Sequence, residues 1–214
     1  MLTHKPLRAV LFDWDGTLLN SFQADGNAYS QMFRALGVRW EPAKLSQHYS
    51  PDWHNVYRAV RLPPERWAQA DCLWRSFYRS ERPLLQNGAR HVVQTLAGRF
   101  RLGIVSSGSS LRVRSQLRAF GLERIFAVTV FGDQVPHRKP HPLQLQLASR
   151  QLGCEPGCCV YVGDAPEDVK MARRAGVAVV GVLQHSPVPQ RLRESRPNAL
   201  IKTISALPEL FCSS

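Results

Sequence analysis

Short apolar runs alternate with stretches of helical spacing along most of the chain. The first run, Leu7 to Phe12, ends in a polar turn sequence, and further runs begin near Leu102 and Ile125. Two more cover residues 158–162 and 177–183. Apolar residues at three- and four-residue spacing predict helices over 91–96, 111–120, 142–152 and 168–175. This alternation predicts an α/β fold, with a parallel sheet that carries helices on both faces.

The segment from residue 21 to about residue 82 interrupts the alternation. It contains no convincing apolar strand, while Tyr29 and Met32 begin a set of apolar residues at helical spacing. We therefore predict a small all-helical domain over 21–82, inserted after the first strand. Residues 1–20 and 83–214 then form the α/β core domain.

Composition indicates an ordinary globular chain. Hydrophobic residues make up 44% and charged residues 21% of the 214 positions, which excludes a disordered or low-complexity class. No apolar stretch approaches the ~18 residues that span a bilayer, so no membrane partner is expected. Met1 to Arg8 lacks the apolar core of a secretion signal, and we expect a cytoplasmic protein.

The chain is strongly basic, with 28 Lys and Arg against 16 Asp and Glu and a net charge of +12. Such a balance attracts anions, either nucleic acid or a small phosphorylated substrate. The basic residues are scattered rather than gathered in long runs, so composition alone leaves the partner open.

Five cysteines occur, an odd number without the spacing of a disulfide framework. Cys154, Cys158 and Cys159 lie close enough in sequence to suggest a metal site. The run that follows Cys158 has the pattern of a buried strand, which favours these cysteines as small hydrophobic residues. The remaining two are Cys72 and Cys212.

The first strand ends in Asp13-Trp14-Asp15-Gly16-Thr17. Strand alternation places Asp13 and Asp15 on one face and Trp14 on the other. Two carboxylates at the end of an apolar strand are costly unless they hold a cation or take part in catalysis. The pair therefore indicates a cation or a catalytic site.

Three more polar clusters fall where predicted strands end, as ligand sites do in parallel sheets. Ser106-Ser107-Gly108 precedes a helix and suits an anion, although a simple helix cap explains it as well. Lys139, between Arg138 and Pro140 at a predicted helix start, could place a fixed positive charge, although most lysines are simply surface charges. Asp164 and Asp168 either face one cation together or cap the following helix.

Taken together, these residues resemble the haloacid dehalogenase-like hydrolase superfamily. The resemblance rests on Asp13-x-Asp15-Gly16-Thr17, Ser106, Lys139 with Pro140, and Gly163-Asp164-x-x-x-Asp168, and it runs from about residue 8 to 185. The closest subgroup is that of phosphoglycolate phosphatase-like and β-phosphoglucomutase-like enzymes with a helical cap. It implies a Rossmann-like core and a phosphoric monoester hydrolase that uses Mg²⁺.

The resemblance also implies roles for individual residues. Asp13 would be the nucleophile that forms an aspartyl-phosphate, and Asp15 the acid/base. Ser106 and Lys139 would complete the catalytic set. The Mg²⁺ ligands would be Asp13, the backbone of Asp15, Asp164 and Asp168. Substrate contacts are expected from Thr17, Ser107 and Gly108 in the core and from Trp53, His54 and Arg58 in the cap.

The function expected from these residues is hydrolysis of a small phosphorylated metabolite, such as phosphoglycolate or a sugar phosphate. The first alternative is a phosphomutase of the β-phosphoglucomutase type, which would use the same residues. The second is a regulatory or nucleic-acid-binding protein; we do not expect it, because every acidic motif residue is present. The sequence is compatible with a monomer or a homodimer.

Overall fold

The computed structural model describes residues 5–50 and 52–211, and within them six parallel strands form one sheet of order β3-β2-β1-β4-β5-β6. The strands are β1 Ala9–Phe12, β2 Arg101–Ser106, β3 Val128–Phe131, β4 Cys159–Gly163, β5 Ala178–Val182 and β6 Ala199–Ile201. The helices are α1 Phe22–Ala35, α2 Leu45–His48, α3 His54–Ala59, α4 Trp67–Tyr78, α5 Ala89–Ala97, α6 Ser110–Ala119, α7 Leu143–Gln151, α8 Pro166–Ala175 and α9 Pro189–Glu194.

Strand β1 lies at the centre of the sheet and is buried on both faces. Val10 and Phe12 point into one hydrophobic core, and Ala9 and Leu11 point into the other. In register, Phe12 lies between Ile104 of β2 and Val162 of β4. A central parallel strand with both faces covered has to be apolar throughout, which is why its sequence is an unbroken hydrophobic run.

Helices cover both faces of the sheet, which confirms the α/β fold with a parallel sheet. Val93 of α5 and Leu117 of α6 pack in the same core as Phe12. Leu145 of α7 and Met171 of α8 pack in the opposite core with Leu11. The four helices expected from apolar spacing in this part of the chain all form.

Helices α1 to α4 occupy the segment between β1 and β2, where a helical insert was predicted. Met32 and Phe33 of α1 lie in a hydrophobic cluster of their own, and α1 packs against α4. The two connections to the sheet run side by side, because the N–H of Asn20 donates to the carbonyl of Leu84 over 2.8 Å. The domain limits at residues 20 and 83 stay a prediction.

The last part of the chain differs from the sequence prediction. Strand β6 and helix α9 carried no recognisable apolar pattern, because they are only three and six residues long. β3 starts at Val128 rather than at Ile125, which belongs to a preceding 3₁₀ turn.

Within the described ranges, no helix is long and apolar enough to cross a membrane.

The cysteines near β4 lie in the position of small hydrophobic residues. Cys154, Cys158 and Cys159 are buried with free thiols, and Cys72 is exposed on α4. Across the described residues, only carboxylates form a cluster with metal-ligand spacing, so this part of the structure gives no support to a cysteine metal site. Cys212 lies outside the described residues, as do the first four residues of the amino-terminal segment.

Replacement of Leu11 by alanine should lower the free energy of unfolding by about 2–5 kcal/mol, because it opens a cavity in a fully buried central strand. Replacement of Leu111, which is 74% exposed, by alanine should change it by less than about 0.5 kcal/mol. Urea unfolding of both variants provides the measurement. Equal destabilisation would contradict the assigned burial of β1.

Candidate active site

The predicted clusters meet at one edge of the sheet, because β2, β1 and β4 are neighbours and run in the same direction. Asp13 directly follows β1, Ser106 ends β2, and Asp164 follows β4. The N–H of Asp13 donates to the carbonyl of Val162 over 2.9 Å, which fixes the chain as it leaves β1. Lys139 reaches the same edge from the loop between β3 and α7.

Lys139 is the positive charge at the centre of the site. Its ammonium lies 2.8 Å from Oδ1 of Asp13 and 3.0 Å from Oδ1 of Asp168. All three side chains are almost fully buried, with Lys139 only 2% exposed. Burial by itself would lower the pKa of the Lys139 ammonium, but Asp13 and Asp168 raise it above its ordinary value. The lysine therefore stays charged at neutral pH.

Tyr161, in the middle of β4, orients that lysine. Its hydroxyl accepts a hydrogen bond from Nζ of Lys139 over 2.7 Å. The same hydroxyl can donate its single proton either to the carbonyl of Val105, at 3.0 Å, or to Asp168, at 3.3 Å. A buried ammonium needs several acceptors, and Tyr161 supplies the one that the two carboxylates leave open.

The two carboxylate oxygens of Asp164 differ in their surroundings. The hydroxyl of Thr17 donates to Oδ1 of Asp164 over 2.8 Å. Among the described residues, nothing donates to Oδ2 of Asp164, which is buried. A Cβ at position 16 would lie 2.3 Å from this oxygen, so only Gly16, with its φ of +80°, allows the carboxylate this close to the first motif.

Two carboxyl groups of this cluster, those of Asp13 and Asp164, have pKa values above their ordinary range. Burial raises the pKa of Asp13 to about 7; Lys139 opposes this shift and Asp168 adds to it. Burial, with Asp13 and Asp168 nearby, also raises the pKa of Asp164 well above its ordinary value. A lone lysine does not offset three buried carboxylates, so the cluster attracts a further positive charge.

The donor set fits a magnesium ion. Asp13, Asp164 and Asp168 each offer an oxygen within 4.8 Å of the others. Hard oxygen ligands of this kind suit Mg²⁺. The unpartnered Oδ2 of Asp164 is the observation that fits best, because a buried carboxylate oxygen without a donor is costly unless a cation takes that place.

The loop after β2 presents hydroxyl and N–H groups toward the aspartates. Ser106 is fully buried, and its hydroxyl accepts a hydrogen bond from the N–H of Gly108 over 2.9 Å. Gln144 of α7 donates to the carbonyl of Ser106 over 2.9 Å and fixes the loop from behind. Within the described chain, the buried hydroxyl of Ser107 has no partner. These groups suit the oxygens of a phosphoryl group.

Asp15 lies in a different environment from Asp13. Arg112 of α6 donates to both of its carboxylate oxygens, over 2.8 and 2.6 Å. Arg112 also donates to Oε1 of Gln116 over 3.2 Å, and the same oxygen accepts from the indole N–H of Trp14 over 2.9 Å. Trp14 is buried in the core, so it faces away from the two aspartates, as strand alternation predicts.

A cavity of about 680 Å³ opens above Asp13 and Asp15, between the helical insert and α6. Its wall includes Ser107 and Gly108 from the core loop. The aromatic residues of its wall are Tyr29, Tyr49, Trp53, Tyr57, Trp74, Tyr78 and Phe120. The insert therefore supplies most of the surface that a bound molecule would meet beyond the aspartates.

The structure separates the predicted substrate-contacting residues. Trp53 lies in the cavity wall as expected, whereas His54 and Arg58 lie outside it. His54 contacts Arg138, and Arg58 pairs with Asp52 over 3.2 Å.

Thr17 is fully buried, and its hydroxyl bonds to Asp164. In this structure it therefore supports the carboxylate cluster, and the substrate contact expected of it stays a prediction. The reason is the sharp turn at Gly16, which directs the following side chain back toward β4.

The sequence analysis did not single out Arg112 or Tyr161. Tyr161 lies inside an apolar run, where a tyrosine is ordinarily a core residue. Arg112 is one of several arginines on a polar helix, and such arginines ordinarily lie on the solvent-exposed face of the helix. No local signal distinguished these residues, because their partners are distant in sequence.

Comparison with known proteins places most of the chain in one family. Residues 10–182 match the family model described as haloacid dehalogenase-like hydrolase. A phosphoglycolate phosphatase from Neisseria meningitidis serogroup A is 31% identical over 189 residues, which cover 82% of this chain and 80% of that protein. Pyrophosphatase PpaX from Bacillus pumilus is 29% identical, with 96% of this chain and 97% of that protein covered.

The fold has close counterparts among solved structures. A haloacid dehalogenase-like family protein from Streptococcus pneumoniae superimposes with a TM-score of 0.85 at 19% identity, and covers 96% of this chain and 98% of its own. At that identity the match shows the fold alone.

Magnesium should raise the melting temperature of the protein, and more at pH 8 than at pH 5.5. A carboxyl whose pKa is raised in the folded state contributes its stability below its ordinary pKa of 3.8 and loses it as pH rises through about 7. The metal-free protein should therefore lose stability between pH 5.5 and pH 8, while Mg²⁺ binds the ionised carboxylates and restores that stability.

Thermal melts with and without Mg²⁺ at both pH values provide the measurement. The Asp164→Asn variant should lose most of the magnesium-dependent shift. The Glu194→Gln variant, which neutralises an exposed carboxylate on α9, should keep it. An unchanged shift in Asp164→Asn would remove Asp164 from the metal site.

Proposed function

Since this chain belongs to the haloacid dehalogenase-like hydrolase family, we propose that it is a Mg²⁺-dependent phosphatase that hydrolyses a small phosphorylated metabolite through an aspartyl-phosphate. The observation that carries the proposal is the convergence of Asp13, Lys139, Asp164 and Asp168 at one sheet edge, next to the Ser106 loop. This is the set of groups that transfer of a phosphoryl group to a carboxylate requires.

In the first half of the proposed reaction, an oxygen of Asp13 forms a bond to phosphorus while the bond from phosphorus to the leaving oxygen breaks. Asp15 gives its proton to that leaving oxygen, so the product departs as an alcohol. Lys139 and the groups of the Ser106 loop hold the phosphoryl oxygens in line with Asp13. The buried surroundings strengthen each of these contacts.

In the second half, a water molecule attacks phosphorus and the bond to Asp13 breaks. The water gives its proton to the Asp15 carboxylate, which restores the acid form for the next cycle. Inorganic phosphate leaves with the water oxygen. The proton and bond changes of the two halves together amount to hydrolysis of one phosphate monoester.

The residues that would hold Mg²⁺ are Asp13, the backbone carbonyl of Asp15, and Asp164. Both oxygens of Asp168 are already engaged, one with Lys139 and the other with the N–H of Ala165 at 3.1 Å, which favours contact through water. The ion, when bound, supplies positive charge that reduces the repulsion between Asp13 and the phosphate.

We propose a substrate of the size of phosphoglycolate, pyrophosphate or a sugar phosphate. Support comes from the relatives named phosphoglycolate phosphatase and pyrophosphatase, which this chain matches over most of its length. The helical insert, residues 21–82, acts in this proposal as a cap that covers the site and contacts the leaving group. Trp53 is the sequence-predicted cap residue that lies in the cavity wall.

Replacement of Asp13 by asparagine should reduce hydrolysis of p-nitrophenyl phosphate by about three orders of magnitude or more, because the amide is a poor nucleophile. The Glu194→Gln variant, which neutralises an exposed carboxylate outside the cavity wall, should keep its activity. Initial rates at saturating Mg²⁺ give the comparison. Retained turnover in Asp13→Asn would rule out the covalent mechanism.

Chelation by EDTA should stop turnover, and added Mg²⁺ should restore it, because the phosphate and Asp13 otherwise repel each other. Calcium should restore less activity, since it favours longer bonds and a looser coordination geometry than Mg²⁺. Rates measured after dialysis against EDTA test this. Turnover that is indifferent to chelation would exclude the metal from the mechanism.

A further inference from the structure

Arg112 is placed to control Asp15. It donates two hydrogen bonds to the Asp15 carboxylate, over 2.8 and 2.6 Å, and both side chains are less than one-fifth exposed. A Cβ at position 108 would lie 2.4 Å from Nη2 of Arg112, so Gly108 leaves the space that the guanidinium occupies. A two-point pair of this kind is strong and geometrically specific.

The pair conflicts with the proton transfer that Asp15 is proposed to perform. With both oxygens bonded to Arg112, the carboxylate is held in one orientation and is not free to turn toward a leaving oxygen. Turnover on a substrate that needs the acid therefore requires Arg112 to release Asp15. The arginine will do so most readily when another anion replaces the carboxylate, because a buried guanidinium without a partner is costly.

Arg112 also faces the cavity and the cap. Its guanidinium lies 5.1 Å from the ring centre of Tyr78, on α4 of the insert, and both residues line the cavity. A molecule that enters between the cap and α6 therefore meets Arg112 directly above Asp15.

Two further donors in the same wall have no partner among the described residues. They are the hydroxyl of Tyr78 and the indole N–H of Trp74. Tyr78 is only 5% exposed. Asp25 lies in this wall as well, and burial raises the pKa of its carboxyl to about 8, with Asp15 adding to the shift. At neutral pH Asp25 is thus mostly uncharged, and the wall offers donors suited to an acidic group.

We propose that Arg112 is a positioning and specificity-determining residue that holds Asp15 in the resting enzyme and transfers to an acidic group on the leaving side of the substrate. The proposal rests on the proposed function. It restricts the preferred substrates to phosphate compounds whose leaving group carries a second anionic group, either a carboxylate or a phosphate. Asp15, once released, is free to turn toward the leaving oxygen and to perform the proton transfers of the proposed reaction.

A matched pair of substrates tests this without any mutation. Phosphoglycolate and ethylene glycol monophosphate differ only in a carboxylate in place of a hydroxymethyl group. The enzyme should favour phosphoglycolate in kcat/KM by about tenfold or more, as expected for a charge-assisted hydrogen-bonded pair. Pyrophosphate serves as the second acidic substrate and tests whether a phosphate replaces the carboxylate. Equal kcat/KM for the acidic and neutral substrates would overturn the proposal.

The Arg112→Gln variant should lose this preference, with KM for phosphoglycolate raised and kcat lowered. Arg112→Lys should recover part of the binding but less of the turnover, because an ammonium cannot form the two-point pair. Arg114→Gln, an exposed position on the opposite side of the same helix, is the control and should keep the preference. A preference that persists in Arg112→Gln would also overturn the proposal.

Hydrolysis of p-nitrophenyl phosphate separates this inference from the function on which it rests. p-Nitrophenyl phosphate has no second anionic group, so its hydrolysis by the unaltered enzyme depends on the proposed function and not on the specificity assigned to Arg112. If the unaltered enzyme fails to hydrolyse p-nitrophenyl phosphate, the proposed function fails. If it succeeds and Arg112→Gln discriminates between the matched substrates as before, only the role of Arg112 fails.

Discussion

The buried contact of Lys139 with Asp13 and Asp168 is the interaction on which the rest of the site depends. Three carboxylates and one ammonium lie at the edge of the sheet almost without exposure to solvent. Charges in such a place are costly unless each has partners. Tyr161 from β4, Thr17 from the first motif and the N–H of Ala165 supply those partners, and they constrain how the loops pass one another.

The same constraint separates two aspartates that stand two residues apart. Asp13 faces the lysine and the other carboxylates, where burial raises its pKa to about 7. Asp15 faces Arg112 and the helical insert, where it is paired through both oxygens. The first environment suits a nucleophile that shares a cation, and the second suits a group whose availability depends on what enters the cavity. The division of roles proposed for the two aspartates rests on this difference.

The helical insert adds the part of the site that the sheet cannot provide. Its aromatic residues form most of the cavity wall, and Arg138, the neighbour of Lys139, stacks on Trp53 with 3.7 Å to the ring centre and pairs with Asp52 over 2.9 Å. The insert and the loop that carries Lys139 are thus in direct contact. In the proposed reaction, a substrate bound between them would touch Asp13 and Lys139 on one side and the helical insert on the other.

The sequence by itself determined the α/β fold, the insert after the first strand, and the four motifs at the strand ends. These features depend on hydrophobic periodicity and on short local motifs, which can be recognised without knowledge of tertiary contacts. Strand β6 and helix α9 were too short to give such a pattern. Only the tertiary structure decided that Arg112 holds Asp15, that Tyr161 holds Lys139, and that Thr17 donates a hydrogen bond to Asp164. Each of these contacts joins residues between 22 and 147 positions apart, and a side chain's partner across that distance is set by how the strands and helices pack.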